Sequence, residues 1–194
     1  MIIVRIIGVT GTSGSGKSEA CKILVKKYDA ELIDADKIAK KLSKRGTVYF
    51  NSIVESFGSG IVNKTGELNR KKLANIIYQD EKKREELNKL TFLYVVDEIK
   101  KIINKTKKKI IIVDAPLLFE SKLDQICDFV ISIIANEKVK IERICKRDGI
   151  TKKEAESRLK AQAPNKFFIE NSDYVIYNNN GVDELKEQIK IFGI

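Results

Sequence analysis

The stretch Gly11-Thr12-Ser13-Gly14-Ser15-Gly16-Lys17-Ser18 limits what this chain can fold into more than any other. It reads as a glycine, four spacers and Gly-Lys-Ser. Ahead of it, Ile2, Ile3, Val4, Ile6 and Ile7 form a β-branched apolar run that suits a strand buried on both faces. Behind it, residues 18–28 carry Ala20, Ile23, Leu24 and Tyr28 at helical spacing. A loop of this pattern between a strand and a helix is a phosphate-binding loop. Glycines let successive backbone N–H groups curl toward one hollow, and the helix that follows adds its own N–H groups and dipole. Lys17 can reach β- and γ-phosphates, and the Ser18 hydroxyl can hold Mg²⁺. The alternative is a glycine-rich turn without a ligand; the complete pattern with both flanking elements favours the phosphate loop. A nucleoside triphosphate is therefore the first expected partner.

A chain of 194 residues suffices for one domain with a sizeable core and a mobile insert. Its 43% hydrophobic and 33% charged content is that of a soluble globular protein, and its apolar runs are too short to span a bilayer. The start lacks a basic leader and a cleavage site, so a cytoplasmic location is the default expectation. Cys21, Cys127 and Cys145 are widely spaced, with neither pairing nor metal-ligand spacing, and Cys21 and Cys145 are expected to pack as small hydrophobes. Histidine is absent, so any acid–base step must use a carboxylate, a lysine or the substrate. The net charge of +10 suits anionic ligands, but the lysine clusters at 40–45, 82–84 and 105–109 carry no interleaved aromatics. Most of the charge reads as a solvated surface, and a nucleic-acid platform is weakly supported.

Further along, Leu32-Ile33 leads into Asp34-Ala35-Asp36, and Ile38, Ala39 and Leu42 follow at helical spacing. A strand ending in two carboxylates puts them at the edge where open parallel sheets bind ligands. There an aspartate can accept a proton from a substrate hydroxyl or hold Mg²⁺ through water. Alternatively Asp36 caps the helix that follows, and in extended chain Asp34 and Asp36 would share a face. Residues 47–57, 70–78 and 81–104 are all helical by pattern, with a turn at 63–66, and together form a helical insert on the substrate side.

A second buried strand at 109–114 ends in Asp114, a placement P-loop proteins use to approach Mg²⁺, and Pro116 stiffens its exit. Residues 129–134 and 174–176 are further strands, and 182–191 a closing helix. The helix over 137–147 brings Arg143 and Arg147 onto one face, and Thr151 with Glu154 forms a capping box that opens the next helix. Two such arginines beside a short helix bounded by Gly149 and Pro164 suit a phosphate-closing lid; the alternative is surface salt bridging, as between Arg143 and Glu142 or Asp148.

Taken together, these residues resemble the dephospho-CoA kinase family. The likeness runs from Ile7-Gly8-Val9-Thr10-Gly11 to Ser18, through Ile33-Asp34-Ala35-Asp36, Gly66-Glu67-Leu68-Asn69-Arg70 and Asp114-Ala115-Pro116-Leu117-Leu118-Phe119-Glu120. It continues through Glu142-Arg143, Arg147-Asp148-Gly149, Arg158 and Gln162 to Ser172-Asp173-Tyr174-Val175-Ile176, Asn178 and Gly181. The resemblance implies transfer of the γ-phosphoryl of ATP to the ribose 3′-hydroxyl of dephospho-CoA, the last step of coenzyme A biosynthesis. It implies Asp36 as general base, Lys17 and Arg143 as catalytic groups, and Ser18 with Asp36 toward Mg²⁺. Gly11, Thr12, Ser13, Gly14, Ser15, Gly16, Lys17, Ser18 and Arg147 would hold ATP. Thr10, Asp34, Lys40, Arg70, Pro116, Leu117 and Glu120 would meet the acceptor. Two positions depart from the family: its His-Pro is Phe92-Leu93 here, and an arginine four residues past the second aspartate is Lys40.

The expected architecture is a three-layer α/β P-loop kinase fold with a central parallel sheet. Its core is 1–35, 105–147 and 170–194, its helical acceptor-binding region 36–104 and its lid 148–169. The expected partners are ATP, Mg²⁺ and dephospho-CoA, without nucleic acid or membrane, and with a monomer as the working expectation. The competing functions are a P-loop kinase for a nucleoside, nucleotide or other small hydroxyl acceptor, and a non-catalytic nucleotide-binding module.

Overall fold

The computed structural model describes residues 4–191 and 193, so the predicted strand residues Ile2 and Ile3 lie outside the described residues. The chain forms two compact units: Met1–Ile33 with Lys107–Ile194, and Asp34–Thr106.

The first unit is built on a five-stranded sheet. Its strands are β1 (Arg5–Thr10), β2 (Glu31–Asp34), β3 (Ile110–Asp114), β4 (Phe129–Ile134) and β5 (Tyr174–Tyr177), in the order β2-β3-β1-β4-β5. Ile7 lies opposite Ile112, Val9 opposite Ile131 and Ile133 opposite Ile176, all in parallel register. Side chains alternate along a strand, so Ile7, Val9, Ile112, Ile131, Ile133 and Ile176 share one face. That face packs on Ala20, Cys21 and Leu24 of α1 (Lys17–Tyr28) and on Leu185 and Ile189 of α9 (Val182–Ile191). On the other face, Leu118 and Cys127 close over Gly8. There, too, Ser132 meets Ser172 at the end of α8 (Asn165–Asn171), which packs on β4 and β5. Helix, sheet and helix make three layers, and the continuous β-branched runs are what a sheet covered on both faces requires. β1 sits between β3 and β4, so its C-terminal end is the topological switch point, where ligands of such sheets bind.

Between β4 and β5 run α6 (Glu137–Asp148) and α7 (Lys152–Lys160). Cys145 packs on the small cluster of Ile141, Ile144 and Ala155 that joins them. The capping box expected at Thr151 and Glu154 is present in full. Cys127 donates to the Leu123 carbonyl at 3.2 Å, and burial pushes its thiol up to about 12, which keeps it unreactive. Edge strand β5 carries a local device: the Gln188 side chain accepts from the Tyr177 N–H at 3.0 Å and donates to the Tyr177 carbonyl at 2.5 Å.

The second unit holds α2 (Ala35–Leu42), α3 (Val48–Phe57), α4 (Arg70–Gln79) and the 25-residue α5 (Glu81–Lys105). Tyr49, Ile53, Ile61 and Leu73 form its core, with Leu42, Phe57, Leu87 and Leu90 packed around them. Hydroxyl contacts Tyr49–Thr91 (2.6 Å) and Ser52–Tyr94 (2.8 Å) stitch α3 to α5. The turn expected at 63–66 is present, the Gly66 N–H donating to the Asn63 carbonyl at 3.0 Å, and the expectation of helix in the rest of the block needs one correction. A 3₁₀ turn at Ser59–Ile61 and an antiparallel bridge between Val62 and Leu68 interrupt it. The Asn63 carboxamide accepts from the Thr65 and Glu67 N–H groups, and such local bonds compete with the helical ladder.

Leu24 is fully buried between α1 and the sheet. Leu24→Ala is expected to lower unfolding free energy by about 2–5 kcal/mol in denaturant titration, whereas Tyr78→Ala, at an 86% exposed site, should change it by less than about 0.5 kcal/mol.

Candidate active site

The loop at the C-terminal end of β1 is held in shape by its neighbours. Gly14 has φ +79°, and a Cβ there would lie 2.6 Å from the Lys140 carbonyl oxygen of α6. Gly16, with φ +95°, faces the Asn178 carboxamide, where a Cβ would lie 2.0 Å from its nitrogen. Both positions thus exclude a side chain on conformation and on space. Asn178 is itself buried; its Nδ2 donates to the Ser15 carbonyl at 2.7 Å, and its own carbonyl accepts from Arg143 at 2.9 Å. Arg143 also donates to the Gly14 carbonyl at 3.3 Å. These bonds take up loop carbonyls, which turns the opposing N–H groups inward and leaves a hollow suited to an anion. α1 opens at Lys17, so its unsatisfied N–H groups and dipole face the same loop. The Ser15 hydroxyl is buried and has no hydrogen-bond partner among the described residues.

Charged side chains converge here. Lys17 is ion-paired with Asp114, a buried residue at the end of β3. Ser18 follows Lys17 on the exposed start of α1. Thr10 is buried, its hydroxyl donating to the Pro116 carbonyl at 3.2 Å, while Leu117 and Glu120 are exposed beyond it. Arg147 donates to the Ser13 hydroxyl at 3.2 Å, and the Ser13 N–H donates to Gln162 at 3.0 Å. The salt-bridge alternative falls to a different arginine than expected. Arg147, not Arg143, binds Asp148, in a two-pronged contact of 2.7 and 2.9 Å, and Arg158 binds the same carboxylate.

In the second unit, Asp34, Asp36, Lys40 and Arg70 belong to α2, α4 and their entries. Asp34 is the N-cap of α2, accepting from the Lys37 N–H at 2.9 Å, so the capping alternative considered for Asp36 falls to Asp34. The chain turns from strand to helix between the two acids, and they do not lie on one extended face. Asp36 is left exposed in the first turn of α2. Asp36, Lys40, Ser43, Tyr49 and Arg70 line a cavity of about 420 Å³ whose remaining wall is apolar, including Ile53, Leu73, Ile77 and Leu87. Arg70 donates to the Ser43 hydroxyl at 2.7 Å, and Ser43 donates to the Lys40 carbonyl at 3.0 Å, so the serine aims the guanidinium. Tyr49 is buried in this wall; desolvation raises its pKa, against a smaller opposite effect of its bond to Thr91.

Two residues of the phosphate-loop surroundings escaped the sequence. Lys140 passed as one of many helical lysines, although its i, i+4 spacing from Ile144 puts it on the buried face. Asn178, named only within the family likeness, could not be tied to Ser15, which lies 163 residues away.

The hydrogen bonds of Arg147 and Arg158 hold the Asp148 carboxyl well below its usual 3.8. A depressed carboxylate contributes stability above its unfolded pKa and loses it as pH falls toward its folded value. Protection of α7 from hydrogen exchange should therefore hold from about pH 8 to about pH 5 and decline below about pH 4. Asp148→Asn should show the weakened protection throughout.

A family model for dephospho-CoA kinase matches residues 5–184. A dephospho-CoA kinase of Fusobacterium nucleatum subsp. nucleatum is 38% identical over 189 residues, covering 97% of each chain. A crystal structure from Thermus thermophilus superposes with a TM-score of 0.83 at 22% identity, over 97% of this chain and 95% of that one. A dephospho-CoA kinase from Campylobacter jejuni superposes with a TM-score of 0.67 at 24% identity, over 96% and 94%. Likeness at that identity establishes the fold, whereas the family match runs from β1 into α9 and takes in the phosphate loop, Asp114 and both loop arginines: the chain belongs to the dephospho-CoA kinase family.

Proposed function

We propose that this protein phosphorylates the ribose 3′-hydroxyl of dephospho-CoA with ATP, producing coenzyme A. The observation that carries this is a family match spanning the chain together with an intact glycine-rich loop at the sheet's switch point. ATP is the phosphoryl donor. Residues 11–18 cradle its phosphates through backbone N–H groups, with the Lys17 ammonium on the β- and γ-phosphates. The buried, unpartnered Ser15 hydroxyl supports a loop completed by a ligand. Arg143, bonded to loop carbonyls, and Arg147, on the Ser13 hydroxyl, supply positive charge at the loop; in phosphoryl transfer such charge stabilises the spreading negative charge of the transition state.

The donor chemistry also fits Mg²⁺. Ser18 offers a hydroxyl, and Asp36 and Asp114 offer carboxylates, all hard oxygens. Mg²⁺ of this kind is bound through one or two protein oxygens together with substrate phosphates and water. When bound, Mg²⁺ neutralises phosphate charge and polarises the transferred group. Asp36 acts as general base for the acceptor hydroxyl, a role supported by its exposed carboxylate at the mouth of the second unit's cavity. Lys40 and Arg70 give that cavity a cationic rim for an anionic acceptor, its apolar wall suits the uncharged part, and Asp34 orders the start of α2. Thr10, Pro116, Leu117 and Glu120 form the proposed acceptor contacts of the first unit. Closure of 148–169 over the nucleotide excludes water and suppresses hydrolysis. Among the described residues no helix is long and apolar enough to cross a membrane. We place the protein in the cytoplasm and infer that it works as a monomer.

Coupled ADP release with ATP, Mg²⁺ and a panel of hydroxyl acceptors tests the assignment. Dephospho-CoA should give release far above the acceptor-free blank; release with another acceptor and none with dephospho-CoA would sink it. Asp36→Asn should lower turnover by at least about 100-fold while ATP affinity changes little; equal losses in both would make Asp36 structural.

A further inference from the structure

Lys140 is an anomaly for its residue type. Lysine is almost never buried unless paired with an acid, yet Lys140 is only 6% exposed. Its ammonium donates to the Thr12 hydroxyl of the phosphate loop at 3.3 Å and to the Asn165 carboxamide at the start of α8 at 3.0 Å. Both acceptors are neutral, and they take two of its three N–H donors. Glu137, three residues earlier on α6, acts on it only through space, and burial, the larger effect, pushes its pKa below the lysine norm. Its backbone touches the loop as well, because the Lys140 carbonyl is what Gly14 packs against. A positive charge thus stands behind the wall of an anion hollow, with no carboxylate bonded to it among the described residues.

We propose that Lys140 is a positioning residue for the nucleotide whose charge gains a close counter-charge only when a polyphosphate fills the loop. In the empty protein the ammonium is desolvated against two neutral oxygens, which is unfavourable. Bound phosphate supplies the missing negative charge through the thin wall formed by Thr12 and Gly14. Lys140 therefore weakens the empty fold and strengthens nucleotide binding, and its contribution grows with the number of phosphates. It acts through Thr12 and its field, whereas Lys17 is assigned to the phosphates themselves. The inference rests on the phosphate loop being the ATP site.

Calorimetric titration of Lys140→Met with ATP, ADP and adenosine, alongside melting of the ligand-free protein, tests this. Lys138→Met serves as control, since Lys138 is an exposed lysine on the same helix. Lys140→Met should bind ATP about tenfold more weakly, ADP by a smaller factor and adenosine unchanged, the size expected for one partly screened charge. The ligand-free variant should melt no lower than wild type, and Lys138→Met should match wild type throughout. ATP affinity within about twofold of wild type, or equal losses for ATP and adenosine, would overturn the proposal, as would a variant that melts lower or fails to fold. Lys140→Gln keeps a donor toward Thr12 without the charge. It should lose ATP affinity as Lys140→Met does; wild-type affinity in it would show that the bond matters and the charge does not. Wild-type protein that binds no ATP would instead refute the phosphate loop as the nucleotide site.

Discussion

The curled backbone at the end of β1 depends on groups brought to it from other parts of the first unit. Glycines permit its shape, but a permissive chain has many shapes. What selects one is the capture of loop carbonyls by Asn178 and Arg143, with α6 pressed against Gly14. The elements that deliver these residues are separated by long stretches of chain, and only the sheet order, with β4 beside β1 and β5 beside β4, brings them together. The anion site is therefore a property of the whole first unit. Core packing of α1 and α9 on the sheet and the geometry of the phosphate hollow are two aspects of one arrangement.

The two units use different chemistry. The first concentrates donors and cations around backbone N–H groups. The second offers a cavity with a polar rim and an apolar wall, its cations steered by neighbours: Ser43 fixes Arg70, and the Lys40 carbonyl fixes Ser43. Lys40 brings a lysine to the lining of this cavity. Lysine meets a phosphate as a point charge, where arginine would grip it with a planar fork.

Much of this was legible in the sequence because it is local. The strand–loop–helix order around Lys17, the β-branched runs of β3 and β4, the Thr151–Glu154 box and the 25-residue α5 all announce themselves within a short window. The difficulties came where a side chain's partner is distant or where neighbours compete. Asp34 and Asp36 are two residues apart and equally suited to capping; the point at which β2 becomes α2 decides between them. Arg143 and Arg147 share a helical face, yet one turns to the loop's backbone and the other to Asp148. Lys140 was hidden among solvated lysines because charge alone does not reveal burial.

The Gln188 amide at the end of β5 bears on how the molecule behaves in company. The last residue of an outermost strand ordinarily offers a bare donor and acceptor that another chain can adopt. Here one carboxamide satisfies both, imitating the neighbour the sheet lacks. Sticky ends of this kind are sealed from within, so crowding at high concentration meets one fewer foothold for strand-by-strand aggregation.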